Sequence, residues 1–281
     1  MVVRRKNSEG QALVLVLLAL AVVLTIVLFI LSRSITDISV SSSQSQSVSA
    51  FSAAEAGVEQ ALVIGSATGA STSVGVGGAS YTTNVTNVAS GATSFVFPLE
   101  LNSGDNMTLW LKSQDSSSSF TGPNIKICWG SAGTSSSVDT TPAIEVVLFY
   151  ETTDNDPATT KIYRAVVDPN SSRISSNSFT VAGGACNISG QSFAFSTTIS
   201  GLTTLGTPQF AFVRMFYNTG TAQPIAFDST DSTHTFPSQG IMVDSTGLAG
   251  QSTRRVSVFQ SWPEIPDLFQ FPIYSSTGIT K

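Results

Sequence analysis

Side chains suited to catalysis or to metal binding are few in this sequence. His234 is the only histidine of the 281 residues, and Cys128 and Cys186 are the only cysteines. One histidine and two cysteines cannot form a usual four-ligand zinc site without carboxylates. Serine and aspartate are so frequent around His234, in DSTDSTHTFP, that no catalytic triad stands out, and we expect His234 to be an exposed loop residue. These scarcities predict a protein that is not an enzyme and has no cofactor.

Charged side chains are scarce as well, and positive ones most of all. The chain has 13 Lys and Arg against 18 Asp and Glu, a formal net charge of -5 at pH 7. A protein with this balance has no general electrostatic attraction to a phosphate backbone. We therefore predict no nucleic-acid partner.

The most prominent feature that is present is a long apolar run near the N-terminus. Between Ala12 and Leu31 only Thr25 is not apolar. About 20 such residues cross the hydrocarbon core of a bilayer as a helix. The run is longer than that of a secretory signal and has no small-residue cleavage site after it. The sequence therefore predicts a single membrane-spanning helix.

The basic residues around this run predict its orientation. Arg4, Arg5 and Lys6 precede it, whereas only Arg33 follows it closely. Cytoplasmic flanks carry the excess of Lys and Arg. We expect the N-terminus in the cytoplasm, the chain held in the cytoplasmic membrane, and everything after Leu31 outside.

Nothing in the sequence stops the helix at the membrane surface. No proline occurs from Gln11 to Gly65, and no glycine between Gly10 and Gly57. The prediction is one helix over about 12–64, with a weak point in the serine-rich SVSSSQSQS. Its upper part carries an apolar stripe that should pack on the protein's own β domain, whereas its lower half is left for lipid or for other chains. The stripe comprises Phe51, Ala54, Val58, Ala61 and Leu62, with Glu55, Glu59 and Gln60 outside it.

The N-terminal region also carries a family resemblance. A short basic leader ending in Gly10 precedes the apolar run, and AFSAAEAGVEQAL, Ala50 to Leu62, ends the predicted helix. Over roughly the first 65 residues the chain resembles a minor type IV pilin with a PilX-like N-terminal region. The motif that carries the resemblance includes Phe51, Ala54, Glu55, Gly57, Val58, Glu59 and Leu62.

The resemblance implies processing and assembly. In pilins a membrane-embedded prepilin peptidase cuts after the last leader residue, here Gly10, and leaves Gln11 as the new N-terminus. The retained helix then moves from lipid into a filament of pilin subunits with the help of a pilus assembly machinery. Gln11 and Leu15 stand where pilins typically have an aromatic residue or Met and a Glu. The expectation is therefore a minor subunit that primes, caps or accompanies a filament, with an uncut signal anchor as the alternative.

The residues after the predicted helix have the pattern of β structure. We divide the chain into a leader (1–10), the long helix (11–64), a Ser/Gly-rich linker or irregular edge strands (65–93), and an extracellular β domain (94–281). Segments such as NMTLWLK alternate with period two, and residues 143–168 read as a hairpin. Many short strands between turns predict an α+β protein whose mostly antiparallel β domain is a sandwich.

Several residues in this domain are candidates for special roles. An exported location would permit a disulfide between Cys128 and Cys186, and two separate buried thiols are the alternative. Glu151, Asp154 and Asp156 are weak calcium candidates, with an ordinary hairpin turn as the more common reading. Aromatic side chains are expected in the core rather than in a sugar-binding platform: Trp110, Trp129, Phe149, Tyr150, Phe210, Phe212 and Phe216.

Three functions therefore remain at this point. The first is a pilin-like structural subunit that reaches the cell surface within a filament. The second is a signal-anchored adhesive or ligand-binding module that is not assembled. The third is an anchored hydrolase, because paired carboxylates are recognised only by their separation in space.

Overall fold

The computed structural model describes residues 9–64, 69–70, 74–76 and 78–264. The leader expected at 1–10 lies outside this part of the chain except for its last two positions. The described residues form two compact units. The first contains those within Met1–Val63, Ala70–Asn84 and Asp244–Val256, and the second those within Ile64–Gly69, Val85–Val243 and Ser257–Lys281.

A single long helix, α1, dominates the first unit. It runs from Glu9 to Ile64, 56 residues, and is about 84 Å long at a rise of about 1.5 Å per residue. The predicted helix is confirmed, and the serine-rich segment is helical throughout. Thr25 and Thr36 donate their hydroxyl hydrogens to the carbonyls of Val22 and Ser32. These polar groups are thereby satisfied within the helix itself.

The rest of the described chain is mainly β structure, as predicted. Two short helices, α2 (Ser171–Asn177) and α3 (Leu202–Leu205), and a 3-10 turn (Pro157–Thr159) interrupt it. The strands are β1 (Gly69–Ala70), β2 (Val74–Val76), β3 (Ala79–Asn87), β4 (Ser94–Val96), β5 (Asn106–Trp110), β6 (Asn124–Ser131), β7 (Ala143–Glu151), β8 (Thr160–Asp168), β9 (Thr180–Val181), β10 (Cys186–Ile188), β11 (Gln191–Ser200), β12 (Thr207–Phe216), β13 (Ile225–Asp228), β14 (Gly240–Ala249) and β15 (Ser252–Ser261).

The strands form three sheets. Sheet 1 has the order β1-β3-β14-β15, with β2 also paired to β3. Sheet 2 has the order β10-β11-β6-β13-β4, and sheet 3 the order β5-β12-β7-β8-β9. The pairs within sheets 2 and 3 are antiparallel except for β8 with β9. The predicted hairpin at 143–168 is β7 with β8.

Sheets 2 and 3 pack face to face around one hydrophobic core in the second unit. Trp129 and Phe227 enter it from sheet 2, and Leu109, Val146 and Val213 enter it from sheet 3. Each of these five side chains is at most 1% exposed. The arrangement is a β sandwich, which confirms the predicted fold class.

The expectation for the aromatic residues is only partly met. Trp129 and Phe212 are buried, whereas Trp110, Phe149, Tyr150, Phe210 and Phe216 are half-buried. Residues that are direct neighbours across strands share one face of a sheet. Trp110, Phe210 and Phe149 are such neighbours on sheet 3, and they lie on the face turned away from the sandwich core.

Three strands, β1, β2 and β3, lie in the segment 65–93, which we expected to be a linker or irregular edge strands. β3 occupies residues 79–87 and is an interior strand of sheet 1. Its buried positions Ala79, Tyr81, Thr83 and Val85 alternate with more exposed ones. Because Ala79 is small and Tyr81 and Thr83 carry hydroxyl groups, the buried and exposed positions of β3 differ little in hydrophobicity.

Candidate assembly helix

The first part of α1 has an apolar surface that nothing in the described residues covers. Every side chain from Leu13 to Leu31 is exposed, and Leu18 is 61% exposed. These residues span about 28 Å of helix, close to the thickness of a bilayer core. The helix is therefore long and apolar enough to anchor in a membrane.

The predicted cut site lies at the beginning of this helix. The backbone of Gly10 and Gln11 belongs to the first turn of α1. Leu15, which stands where a typical pilin has its glutamate, is 67% exposed and continues the apolar surface. Cleavage after Gly10 stays a prediction.

The upper part of α1 packs on strands of its own unit through very small residues. Ala50 and Ala54 are fully buried, and Val58 is 7% exposed. Ala50 and Ala53 belong to one cluster with Ala79, Tyr81 and Ala249 of β3 and β14. The predicted upper stripe is thus buried in part.

Two residues of the predicted stripe are not where we expected them. Phe51 is 45% exposed, and Leu62 is only half-buried. At about 100° per residue both lie roughly 90° from the centre of the buried face, which Ala50, Gly57 and Ala61 define. Glu55 and Glu59 are exposed, as the pattern predicted.

Glycines bring the helix and the strands into close contact. A Cβ atom at Gly57 would overlap the side chains of Tyr81, Thr83 and Ser245. A Cβ atom at Gly247, in β14, would overlap the backbone of Ala50 and Ala54. The helix therefore approaches sheet 1 more closely than larger side chains would permit.

Polar contacts fix the helix along the same strands. The Tyr81 hydroxyl donates to Gln60 Oε1, and the backbone N–H of Gln251 donates to Gln46 Oε1 at 3.1 Å. Arg254 donates to Ser47 Oγ through Nε at 2.9 Å and Nη2 at 2.6 Å. These contacts hold α1 in register against β3 and the β14–β15 turn.

The calcium candidates do not form a metal site. Glu151 is buried, Asp154 pairs with Lys112 at 3.0 Å, and Asp156 accepts the backbone N–H of Ala158 at the start of the 3-10 turn. Within the described ranges no group of three or more His, Cys, Asp or Glu side chains could hold a metal ion. Of the three acids, Asp156 stabilises the hairpin turn.

His234 takes part in a local loop contact. Its Nδ1 lies 2.7 Å from Asp231 Oδ2, and its backbone N–H donates to Asp231 Oδ1 at 2.8 Å. These bonds and those from Thr233 lower the pKa of Asp231 well below its usual range. The partners are three residues apart and about one third exposed, so the pair closes the loop.

Cys128 and Cys186 are joined in a disulfide that links β6 to β10 across 58 residues of sequence. Cys128 is fully buried, and Cys186 is 8% exposed. Around them Ile188, Phe193 and Ala226 form a second apolar cluster on sheet 2. The bridge thus covers a small hydrophobic surface outside the main core.

Comparison of the whole sequence with protein-family models and with curated proteins finds no match.

Proposed function

We propose that this protein is a structural subunit of a type IV pilus-like filament or pseudopilus, in a minor priming, tip or accessory position. In this proposal α1 holds the subunit in the cytoplasmic membrane, with its N-terminus inside and the β structure outside. A prepilin peptidase removes residues 1–10, and the pilus assembly machinery transfers the subunit to a filament at the cell surface. The basic leader and the helix motif support this order of events.

The observation that carries the proposal is the unbroken helix with two different surfaces. Its first part, residues 13–31, exposes only an apolar surface interrupted by Thr25. Its upper part is fixed to β3 and β14 by close packing and to β15 by the hydrogen bonds from Arg254 to Ser47. If a flexible tether replaced this continuous helix, the strands would have no fixed position relative to the apolar part of α1.

Lipid and neighbouring helices are comparable environments for the apolar surface of residues 13–31. Lipid tails and aliphatic side chains are similarly apolar, so moving such a helix from a bilayer into a bundle of helices has a modest free-energy cost. Because Leu15 replaces the usual glutamate, the helix brings no buried carboxylate to a neighbour's amino terminus. A subunit of this kind suits a few positions in a filament better than a repeating one.

Analysis of the N-terminus and of sheared filaments in the native host tests the proposal. We expect the mature chain to begin at Gln11, and we expect it in purified filaments at a low ratio to a major subunit. Gly10→Val is the matched variant, since a branched side chain at the cut site should block processing and leave the chain in the membrane fraction. An intact N-terminus together with absence from sheared filaments would overturn the proposal and favour an anchored adhesive or ligand-binding module.

A further inference from the structure

A cleft on the outer face of sheet 3 has the properties of a ligand site. It measures about 450 Å³, within the range of about 300–1,000 Å³ that is usual for small-molecule sites. Trp110, Phe149 and Phe210 line it together with Lys112 and Glu151. All of these residues belong to the second compact unit.

The floor of the cleft is a row of aromatic rings. Trp110, Phe210 and Phe149 are direct neighbours on β5, β12 and β7. The ring centroids of Trp110 and Phe210 are 5.6 Å apart, and those of Phe149 and Phe210 are 4.7 Å apart and stacked. All three side chains remain half-buried. Three adjacent rings on an outward face of a sheet form an aromatic surface against which an apolar ligand face can pack.

Two buried polar atoms in the lining lack a hydrogen-bond partner. Glu151 is 7% exposed, and its Oε2 accepts no hydrogen bond from any residue that the structure describes. The indole Nε1 of Trp110 is buried and likewise without an acceptor in the described part of the chain. Leaving such a group unsatisfied is unfavourable, and more so when it is charged. A ligand that supplies these hydrogen bonds would remove that cost.

Lys112 adds a donor to the same cleft. Its side chain is 12% exposed, and its Nζ donates to Asp154 Oδ1 at 3.0 Å and to Asn155 Oδ1 at 2.9 Å. An ammonium group has three N–H donors, so one is left for a ligand. The pair with Asp154 offsets the positive charge of Lys112.

The loop at 113–118 lines part of the cleft and is closed by its own side chains. Ser113 Oγ and Ser117 Oγ donate to Asp115 Oδ1 at 2.6 and 2.7 Å. These bonds lower the pKa of Asp115 to about 2. The rim next to Ser113 and Ser116 is therefore held in one conformation by local hydrogen bonds.

From this arrangement we infer that the cleft binds a carbohydrate, with a sugar ring packed against the cluster of Trp110, Phe210 and Phe149. A hydroxyl group both donates and accepts hydrogen bonds. Glu151 Oε2 and Trp110 Nε1 are buried, so small side-chain rotations must turn them toward the cleft; sugar hydroxyls can then donate to the first and accept from the second, and they can also accept from Lys112. The inference concerns the β sandwich alone and does not depend on assembly into a filament.

Other ligand classes fit the lining less well. A cationic amine would suit the aromatic rings and Glu151, but it would leave the indole N–H of Trp110 unsatisfied and would face Lys112. An anion would meet the buried carboxylate of Glu151. A purely apolar ligand would leave both buried polar atoms without partners.

The test uses the full chain in a detergent without a sugar headgroup, because a maltoside would compete for the cleft. The protein is applied to an array of bacterial and animal glycans, and choline and inorganic phosphate serve as cationic and anionic probes in calorimetric titrations. The strongest oligosaccharide is then titrated in the same way. We expect a subset of glycans to bind and neither small ion to compete. Failure of every glycan on the array, or binding of choline alone, would overturn the inference.

Point variants assign the binding to this cleft. Glu151→Gln should weaken binding of the strongest oligosaccharide about tenfold or more, because a hydrogen bond to a charged group is lost. Trp110→Phe keeps a ring for stacking and removes the indole donor, and should weaken binding by about threefold to tenfold. The matched controls Glu100→Gln and Trp262→Phe lie outside the lining of the cleft and should stay within about twofold of wild type.

Thermal unfolding separates a lost ligand contact from a lost fold. Because Glu151 Oε2 is buried without a hydrogen-bond partner among the described residues, the neutral amide of Glu151→Gln should leave the melting temperature equal to or above that of wild type. If both cleft variants unfold like wild type and bind the oligosaccharide like wild type, the inference is wrong.

Discussion

At the scale of single residues, two glycines, which have no side chain, allow α1 to approach the strands of sheet 1 closely. Gly57 faces Tyr81, Thr83 and Ser245, and Gly247 faces the helix backbone at Ala50 and Ala54. A hydrophobicity pattern gives such positions no weight. It instead favoured Phe51 and Leu62, which lie at the margin of the buried face. The packing is thus governed by size rather than by hydrophobicity.

A test of this packing is the substitution Gly247→Ala. The added methyl group would overlap the backbone of Ala50 and Ala54, which cannot rotate away as a side chain can. We expect a loss of about 1–3 kcal/mol in the free energy of unfolding, the usual cost of overpacking. In a thermal melt this corresponds to a decrease of a few degrees.

The control for this variant is Gly184→Ala. A Cβ atom at Gly184 would have open space, and its backbone has no positive φ. The same chemical change should therefore leave the melting temperature within about 1 °C. Equal melting temperatures for Gly247→Ala and wild type would show that the close contact between α1 and β14 is not required for stability.

At the scale of secondary structure elements, the sequence predicts strong patterns and misses weak ones. α1 follows from a stretch without proline and with one interior glycine, Gly57. β5 follows from clear alternation of apolar and polar residues, and the hairpin of β7 and β8 follows from two β-rich runs around a polar turn. β3 was not identified as an interior strand, because Ala79 and Thr83 at its buried positions are weak hydrophobic signals.

Short helices were missed for a related reason. α2 consists of SSRISSN, which has poor helix propensity, and it is held by its ends. The Asn170 side chain accepts the N–H of Ser172 at the first turn, and Ser178 closes the last turn in a left-handed conformation. Arg173 of this helix also donates to the buried carboxylate of Asp168 at 2.8 and 3.0 Å. Caps and ion pairs of this kind produce no periodic pattern of apolar residues, so the sequence does not predict the helix.

The disulfide is the main covalent constraint on a small element. β10 has only three residues and pairs with β11 at the edge of sheet 2. Closing a loop across 58 residues stabilises by about 4 kcal/mol on the chain-entropy model. We expect the double variant Cys128→Ala with Cys186→Ala to lose about this amount in urea unfolding.

Reductant provides the internal control for that experiment. It should lower the urea midpoint of wild type toward that of the double variant, and it should leave the double variant itself unchanged. If reductant has no effect on either protein while free-thiol assay shows that the bridge is open, the disulfide contributes no stability.

At the scale of the whole molecule, functional residues come together from distant parts of the sequence. The cleft combines Trp110 and Lys112 with Phe149 and Glu151 and with Phe210, three groups that lie about 40 to 100 residues apart in sequence. Only the order β5-β12-β7 in sheet 3 makes them neighbours. Alternation placed these residues in strands, but it could not say which of them share an outward face. The apolar part of α1, in contrast, is one continuous segment of the chain and is predictable from the sequence.

The apolar surface of α1 should determine where the whole chain is found. Val22 lies near the middle of the exposed apolar stretch, and a charged residue there costs about 2.5–3.5 kcal/mol in membrane insertion. We therefore expect Val22→Arg to lower the fraction of protein that stays with membranes after a carbonate wash. Val40→Arg adds the same charge beyond the apolar stretch, at a side chain that is 60% exposed, and should behave like wild type. If both variants remained in the washed membranes as wild type does, the apolar stretch of α1 would not be the anchor, and the proposed exchange of lipid for neighbouring helices would lose its physical basis.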